Sequence, residues 1–370
     1  MNPEKRLLSL DTLRGFDMLF IMGLSSFIAA VCALFPEGSE CALAQNMSHV
    51  SWDGFRHHDT IFPLFLFIAG ISFPFSYAKQ LSAGASRRKI YLKIFKRAAV
   101  LILLGLVVNG LFKFHFDKLR VASVLGRIGL AWMFAALLFI NFKRVTRIVI
   151  AAIALVGYWI VIRYIPAPDA PGADSLSIEG NFAGYVDRLI LPGRLLYNGG
   201  KFDPEGLFST IPSIVTAMLG MFTGEFVLSD RKGLTGEKKS LYMAVAGIVM
   251  LAAGLLWSLD FPLNKKLWSS SFVLVVGAYS LLMFALFYYI IDVKGFTKWT
   301  FPFKVVGMNS ITIYIAQSVI GFSGIAAFFL SGVTELCSEP WANVVNKLGY
   351  MIVCWLFLYF LYRKKVFLKV

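Results

Sequence analysis

Three of the four histidines in this chain, His49, His57 and His58, fall within ten residues of one another, with Trp52, Asp53 and Asp59 among them. An imidazole beside a carboxylate is what a general base needs: the acid fixes the tautomer, and the ring takes a proton near neutral pH. The cluster could also serve a metal, but zinc is disfavoured. There is no Cys-x-x-Cys or His-Glu-x-x-His spacing, and the adjacent His57 and His58 would point apart on regular structure, so no metal is expected. Histidines without a chemical task, at a membrane boundary, are the plainer alternative.

A second set of polar residues interrupts runs that are otherwise apolar: Asp11, Arg14 and Asp17, then Lys96 and Arg97, Asn109, Arg127, and finally Asn309 with Ser310. Such groups are costly in apolar surroundings and usually face a cavity or a partner, so together they suggest a polar path through a helical bundle. Snorkelling at an interface is the simpler reading of Lys96 and Arg97, and a structural ion pair that of Arg127. Cys32 and Cys354 fall in apolar runs and read as packing. Cys41 and Cys337 fall on the same side of the chain's expected topology and are compatible with a disulfide.

The elements that must carry these residues follow from composition. Hydrophobic residues make up 58% of the chain and charged ones only 15%, with a mean hydropathy of +0.71. A water-soluble globule of this length does not look like that, whereas a lipid-solvated one does. A bilayer core of roughly 30 Å calls for about 20 apolar residues per helix. Such runs are expected near residues 14–35, 60–79, 97–115, 122–141, 148–165, 208–228, 241–259, 271–291, 304–323 and 344–362. The segment 324–334 is apolar but short, and reads as re-entrant or interfacial. Asp11, Arg14 and Asp17 interrupt the start of the first run, which is therefore read as a retained helix and not as a cleaved leader. The expected fold is an all-α polytopic membrane bundle of about ten transmembrane helices, forming a single unit over residues 1–370.

Orientation comes from the basic residues. With ten spans, the segments on one side (Lys5 and Arg6, 79–97, 143–147, 231–239, 294–304 and 363–369) hold 23 of the 36 Lys and Arg. Excess Lys and Arg in short loops marks the cytoplasmic face, so both termini are expected in the cytoplasm. The long segments 36–59 and 166–207 then lie outside, and their Gly- and Pro-containing stretches read as loops. The net charge of +15 is scattered over six membrane-flanking segments and forms no single stripe, so nucleic-acid binding is a poor reading of it.

Several stretches, in order along nearly the whole chain, carry a family resemblance. They are SLDTLRGFDMLFIMG, HVSWDGFRHHDTIFPLFLFIAGIS, LVVNGLFKFHFDKLRVASVLGRIG, DPEGLFSTIPSIVTAMLGMFTG, LNKKLWSSSFV, IIDVKGF, VGMNSITIYI and LYRKKVFLKV. On these the chain resembles the heparan-α-glucosaminide N-acetyltransferases, including their bacterial relatives of the DUF5009 type. The resemblance implies acetyl-CoA entering from the cytoplasmic side and an amino sugar, a glucosamine-type glycan end, accepting the acetyl group on the other side. It also implies a multi-pass protein of the bacterial cytoplasmic (inner) membrane, and leaves room for a homodimer. The family's active histidine, in an His-x-x-Trp-x-Gly stretch, matches His49, with Trp52 and Gly54; its partner carboxylate before a Phe-Pro pair matches Asp59.

By location together with that resemblance, Arg14, Lys96 and Arg97 are expected to meet the donor phosphates, and Asn309 and Ser310 to line the passage for the pantetheine arm. Trp52, Asp53 and Arg127 are expected at the sugar. His49 could act as base to the amine, with Asp59 as orienter, or could itself carry the acetyl group. The chain departs from the lysosomal pattern at Ser25, at Gln317 and Ser318, at Asp53 and in a longer first external loop, departures that bear on the acceptor. Two other readings stand beside this one: a transporter or channel for a polar solute, against which no obvious internal repeat can be found, and an acyltransferase acting on another envelope acceptor.

Overall fold

The computed structural model describes residues 7–116, 119–191 and 197–368. Lys5, Arg6 and Lys369 of the charge asymmetry lie outside the described residues. Among the described residues there is no strand, only an isolated bridge between Pro166 and Asn181.

The chain begins with α1, Leu8–Cys32, interrupted by a π-helical turn at Phe20–Leu24. It continues through α2 (His57–Ser82), α3 (Arg87–Val108), α4 (Val124–Asn141), α5 (Arg144–Tyr164), the short α6 (Phe182–Ile190), α7 (Thr210–Leu228), α8 (Gly236–Trp257) and α9 (Ser270–Val293). Three shorter helices follow, α10 (Phe301–Met308), α11 (Ser310–Val319) and α12 (Phe322–Glu335), and α13 (Glu339–Arg363) closes the described chain.

Eight of these helices are long and apolar enough to cross a membrane, or nine if the bent pair α11–α12 is counted as one span. The difference from about ten has two physical sources. Helix α3 is 22 residues long but opens with six Lys and Arg between Arg87 and Arg97, so its apolar part starts only at Ala98. The run expected as one span over 304–323 is broken twice: at Asn309, whose φ of −127° and ψ of 29° leave the helical region, and again between Val319 and Phe322. Residues 324–334 belong to α12, which bends 75° away from α11.

The centre of the bundle is built from α2, α4, α7 and α9, whose Phe62, Leu66, Ile128, Met218 and Phe272 share one buried cluster. Without a hydrophobic gain from leaving lipid, such helices associate by close backbone packing at small residues. Helices α2 and α7 meet in this way: a Cβ on Gly220 would overlap the Phe67 carbonyl oxygen, and one on Gly224 that of Ile71. Loops within 33–56, 109–116, 119–123, 165–191, 197–209 and 258–269 meet at one end of the bundle, and that end carries His49, His57 and His58.

Candidate active site

The loop entering α2 is folded around one carboxylate. Asp59, in a tight 3-10 turn over His57–Thr60, is 2% exposed. Its Oδ2 accepts the backbone N–H groups of Arg56 (3.3 Å) and Val50 (3.5 Å), which leaves Oδ1 for the His49 ring, 2.7 Å from Nδ1. With Nδ1 donating to the carboxylate, Nε2 carries the free lone pair, and the side chain is half exposed. The His58 ring sits 4.4 Å from that of His49, centroid to centroid, and its Nδ1 is held 3.0 Å from Ser25 Oγ. His57 faces away, 3.1 Å from Tyr279 Oη, as adjacent residues on regular structure should.

A second loop, between α8 and α9, clamps the first. Gly54 N–H donates to Leu263 O (2.8 Å), Asn264 Nδ2 donates to Asp53 Oδ1 (3.0 Å), and Lys266 Nζ donates to Ser51 O. The clamp delivers Lys265: its Nζ lies 3.0 Å from His49 Nδ1, 3.4 Å from Nε2 and 3.6 Å from Asp59 Oδ1. A single carboxylate thus faces both an imidazole and an ammonium. Burial pushes the Lys265 ammonium below the ordinary lysine range, with the charges of Asp59 and Glu205 working against that shift.

These groups open onto a cavity of about 200 Å³, lined further by Trp52, Arg120, Tyr197, Glu205 and Trp268. Trp52 is fixed there by its Nε1–H, which donates to Leu176 O (2.8 Å), so segment 166–180 is more than a connector. Arg120 forms a fork to Asp203 (2.7 and 2.5 Å) and also pairs with Glu205. Burial works against the Arg120 charge, but the hydrogen bonds and charges of Asp203 and Glu205 outweigh it and hold the guanidinium above its usual range. Asn109 braces the strand of chain that bears Arg120, donating to the carbonyls of Arg120 (2.9 Å) and Ala122 (2.8 Å). Behind the wall, Asp187 accepts from Leu207 N (2.7 Å) and Phe208 N (3.3 Å), and burial raises its carboxyl to about 6 against those donors. A Cβ on Gly206 would overlap that carboxylate, so only glycine lets the turn close over it.

The expected site residues divide. His49, Asp59 and Trp52 are together in the cavity wall. Asp53 is spent on Asn264. Arg127 is 1% exposed and sits one layer back, donating to Gly206 O (3.0 Å) and Ser209 Oγ, with its guanidinium 5.2 Å from the Trp268 ring. It supports the cavity wall and does not line it. Ser310 lines a narrow apolar cavity of about 30 Å³ with Met18, Ile21, Phe62 and Tyr314. That cavity shares Val124 with the His49 chamber. Asn309 is buried beside it, donating to Val366 O (3.1 Å).

Arg14 donates to Ser72 Oγ (3.3 Å) and lies 3.5 Å from Asp11. Arg97 stacks on Trp132 at 4.1 Å and is close enough to Arg14 for the two charges to act on each other. Its buried Nε has no hydrogen-bond partner among the described residues, which is what a site awaiting an anion would show. Lys96 points outward, exposed. Cys41 lies against Cys32, not Cys337, and all four thiols are free. Among the described residues no group of His, Cys, Asp and Glu is arranged to hold a metal.

Sequence reasoning missed Lys265, Lys266, Arg120, Tyr197 and Glu205. The signal available was that Lys265 and Lys266 (LNKKLWSSSFV), Arg120 and Glu205 all fall inside stretches already singled out by resemblance, whereas Tyr197 does not.

The family model described as heparan-alpha-glucosaminide N-acetyltransferase, catalytic, matches residues 6–258. Among curated proteins, the chain is 27% identical over 372 residues to heparan-alpha-glucosaminide N-acetyltransferase of Mus musculus, an alignment covering 87% of this chain and 56% of that protein. It is 28% identical over 373 residues to the Homo sapiens protein of the same name, covering 87% and 55%. The chain thus spans about half the length of the curated relatives it matches.

Proposed function

The chain belongs to the heparan-alpha-glucosaminide N-acetyltransferase family, and from that premise we propose that it is a transmembrane acetyltransferase that passes an acetyl group from acetyl-CoA to an amino sugar at the His49 end of the bundle. The observation that carries this reading is the His49–Asp59 pair at 2.7 Å, opening onto a chamber that also holds Lys265 and Trp52.

A glucosamine amine is largely protonated near neutral pH and reacts as the neutral amine, having released one proton to solvent. His49 Nε2 takes the second proton, which the nitrogen sheds as it bonds to the thioester carbonyl carbon. Asp59 keeps Nδ1 protonated and stabilises the imidazolium that results. Lys265, within about 3.4 Å of Nε2, is positioned to offset the negative charge that develops on the carbonyl oxygen. As the tetrahedral intermediate collapses, the carbon–sulfur bond breaks, the thiolate departs, and the proton on His49 becomes available to it. The indole of Trp52 and the ring of Tyr197 give a sugar flat surfaces to stack against.

The donor approaches from the opposite end. Arg97, with its unpartnered Nε, and Arg14 beside it supply guanidinium groups suited to phosphate. The apolar cavity lined by Ser310, Phe62 and Val124 offers the pantetheine arm a route to His49. The charge asymmetry supports the cytoplasm as the donor side. Turnover with a glucosamine acceptor, measured beside separate acetyl-CoA binding, tests the proposal: acceptor-independent loss of acetyl-CoA, or no transfer at all by protein that binds acetyl-CoA, overturns it. A cysteine at position 200 labelled only from the cytoplasmic side would overturn the sidedness.

A further inference from the structure

The structure holds a polar hollow larger than the His49 chamber. A crevice of about 580 Å³, against about 200 Å³ for that chamber, opens between the π-helical turn of α1, the α11–α12 bend and the first half of α13. Its walls present Ser26, Gln317, Ser323, Asn343, Asn346 and Lys347. Asn343 to Lys347 lie roughly 6–12 Å along α13 from its start at about 1.5 Å per residue, and Trp341 and Leu348 on the same stretch are exposed apolar side chains. Polar side chains set beside exposed apolar ones in a membrane bundle are costly unless they serve a partner. Gln317 is tied to Tyr350 Oη (2.7 Å), but Asn343, Asn346 and Lys347 are exposed and have no side-chain hydrogen bond among the described residues.

The chemistry of the walls restricts what fits. Among the described residues Lys347 is the only charged one lining the crevice and no carboxylate lines it, so an ammonium or a protonated amino sugar is disfavoured and an anion favoured. The amides and hydroxyls donate and accept alternately, which suits a group bearing hydroxyls. Outside the crevice, α12 turns Phe328 (79% exposed), Phe329 and Leu336 (90%) outward, a flank for hydrocarbon and not for water. Polar inside and apolar alongside describe an amphiphile.

We propose that this crevice is a second binding site, which takes the anionic, hydroxyl-bearing headgroup of a membrane phospholipid in the leaflet at the His49 end, with its acyl chains lying along α12. The assignment goes beyond the acetyl-transfer reading and does not depend on it. The site also has a physical connection to the histidines. Ile21 lines both the crevice and the apolar cavity next to the His49 chamber, and Ser26 follows Ser25, whose hydroxyl holds His58. A bound headgroup therefore braces the segment of α1 that positions the His58 ring.

The test uses the full chain in nanodiscs made from equal parts phosphatidylglycerol and phosphatidylcholine, extracted gently and weighed by native mass spectrometry. Wild-type protein should retain phosphatidylglycerol over phosphatidylcholine by about fivefold, the order expected of one partly screened charge-assisted contact. Lys347→Gln and Asn346→Leu should bring the ratio close to one with an unchanged thermal midpoint, since both side chains are exposed. Equal retention of the two lipids by wild type, or an unaltered preference in both variants, overturns the proposal. A competition arm separates the sources of the same chemistry: displacement of the lipid by equimolar glycerol 1-phosphate would make this a site for a soluble anion and overturn the lipid assignment.

Discussion

The two ends of the polar path are built differently. At the His49 end the groups of the chamber wall and its loop have partners within the chain, Asp59 for His49, Asn264 for Asp53, Asp203 and Glu205 for Arg120, although Arg127 one layer behind keeps two guanidinium nitrogens without a partner among the described residues. At the Arg97 end a buried guanidinium nitrogen is left without one, and Lys96 points outward. Groups that must act on a transition state gain from being fixed in advance, because reorganisation during the reaction then costs nothing. Groups that only hold a charged ligand can leave their last hydrogen bonds to it. The contrast predicts that damage at the first end shows in turnover, and damage at the second in donor affinity.

The most drastic way to break that contrast is His49→Ala. It should express and bind acetyl-CoA as wild type does while losing roughly 10²–10⁴-fold in transfer, the usual worth of a positioned acid–base group. A parallel collapse of donor binding would show that the ring is structural. Asp59→Asn should lose less than His49→Ala but still a large factor, because the imidazole keeps its place without the charge that stabilises its protonated form. Mass spectrometry of donor-loaded wild type sharpens the same point: a stable acetyl adduct on His49 would favour the two-step route.

Lys265→Ala should cost about 10²-fold in turnover if the ammonium offsets an oxyanion, with donor affinity again unmoved. The pH profile supplies the sign. Burial lowers the Lys265 pKa, so its charge is lost at lower pH than that of a free lysine, and the rate should fall on the alkaline side as pH rises through that value. Lys265→Arg, which stays charged, should shift that alkaline limb upward; an unmoved limb would remove Lys265 from the step. The smallest expected effect is at the other end. Arg97→Ala should weaken acetyl-CoA binding roughly tenfold, as one charge-assisted phosphate contact would, with turnover at saturating donor almost unchanged by comparison with His49→Ala. Calorimetry showing equal affinity for Arg14→Ala, Lys96→Ala and Arg97→Ala would displace the phosphates from this end.

How much of this could be read beforehand depended on sequence distance. His49 and Asp59 are ten residues apart, so spacing marked the cluster that holds them, while the choice of these two as a pair came from the family resemblance. Lys265 is 216 residues from His49, and nothing local distinguishes it from a lysine in any polar loop. Arg127 shows a different limit. A charge within an apolar run reads as a ligand-binding group or as a structural one, and only the folded chain shows its donation to Gly206 and Ser209 behind the wall. The bundle itself was legible because hydropathy reports what lipid demands of a helix. Hydropathy does not register the backbone at Asn309, where an apolar run continues although the helix does not, or the charged half of α3, which is a helix without being an apolar one.

The clamp between the first loop and residues 263–266 has a consequence for biosynthesis. His49 and Asp59 leave the ribosome early, whereas the lysine that reaches them follows 216 residues later. Until that point the nascent chain carries its base and its orienter on a loop whose bonds to Leu263 and Asn264 do not yet exist. The clamped arrangement of the two loops is therefore assembled only after α8 has been made, and Ser310 and Tyr314 of the neighbouring apolar cavity follow later still.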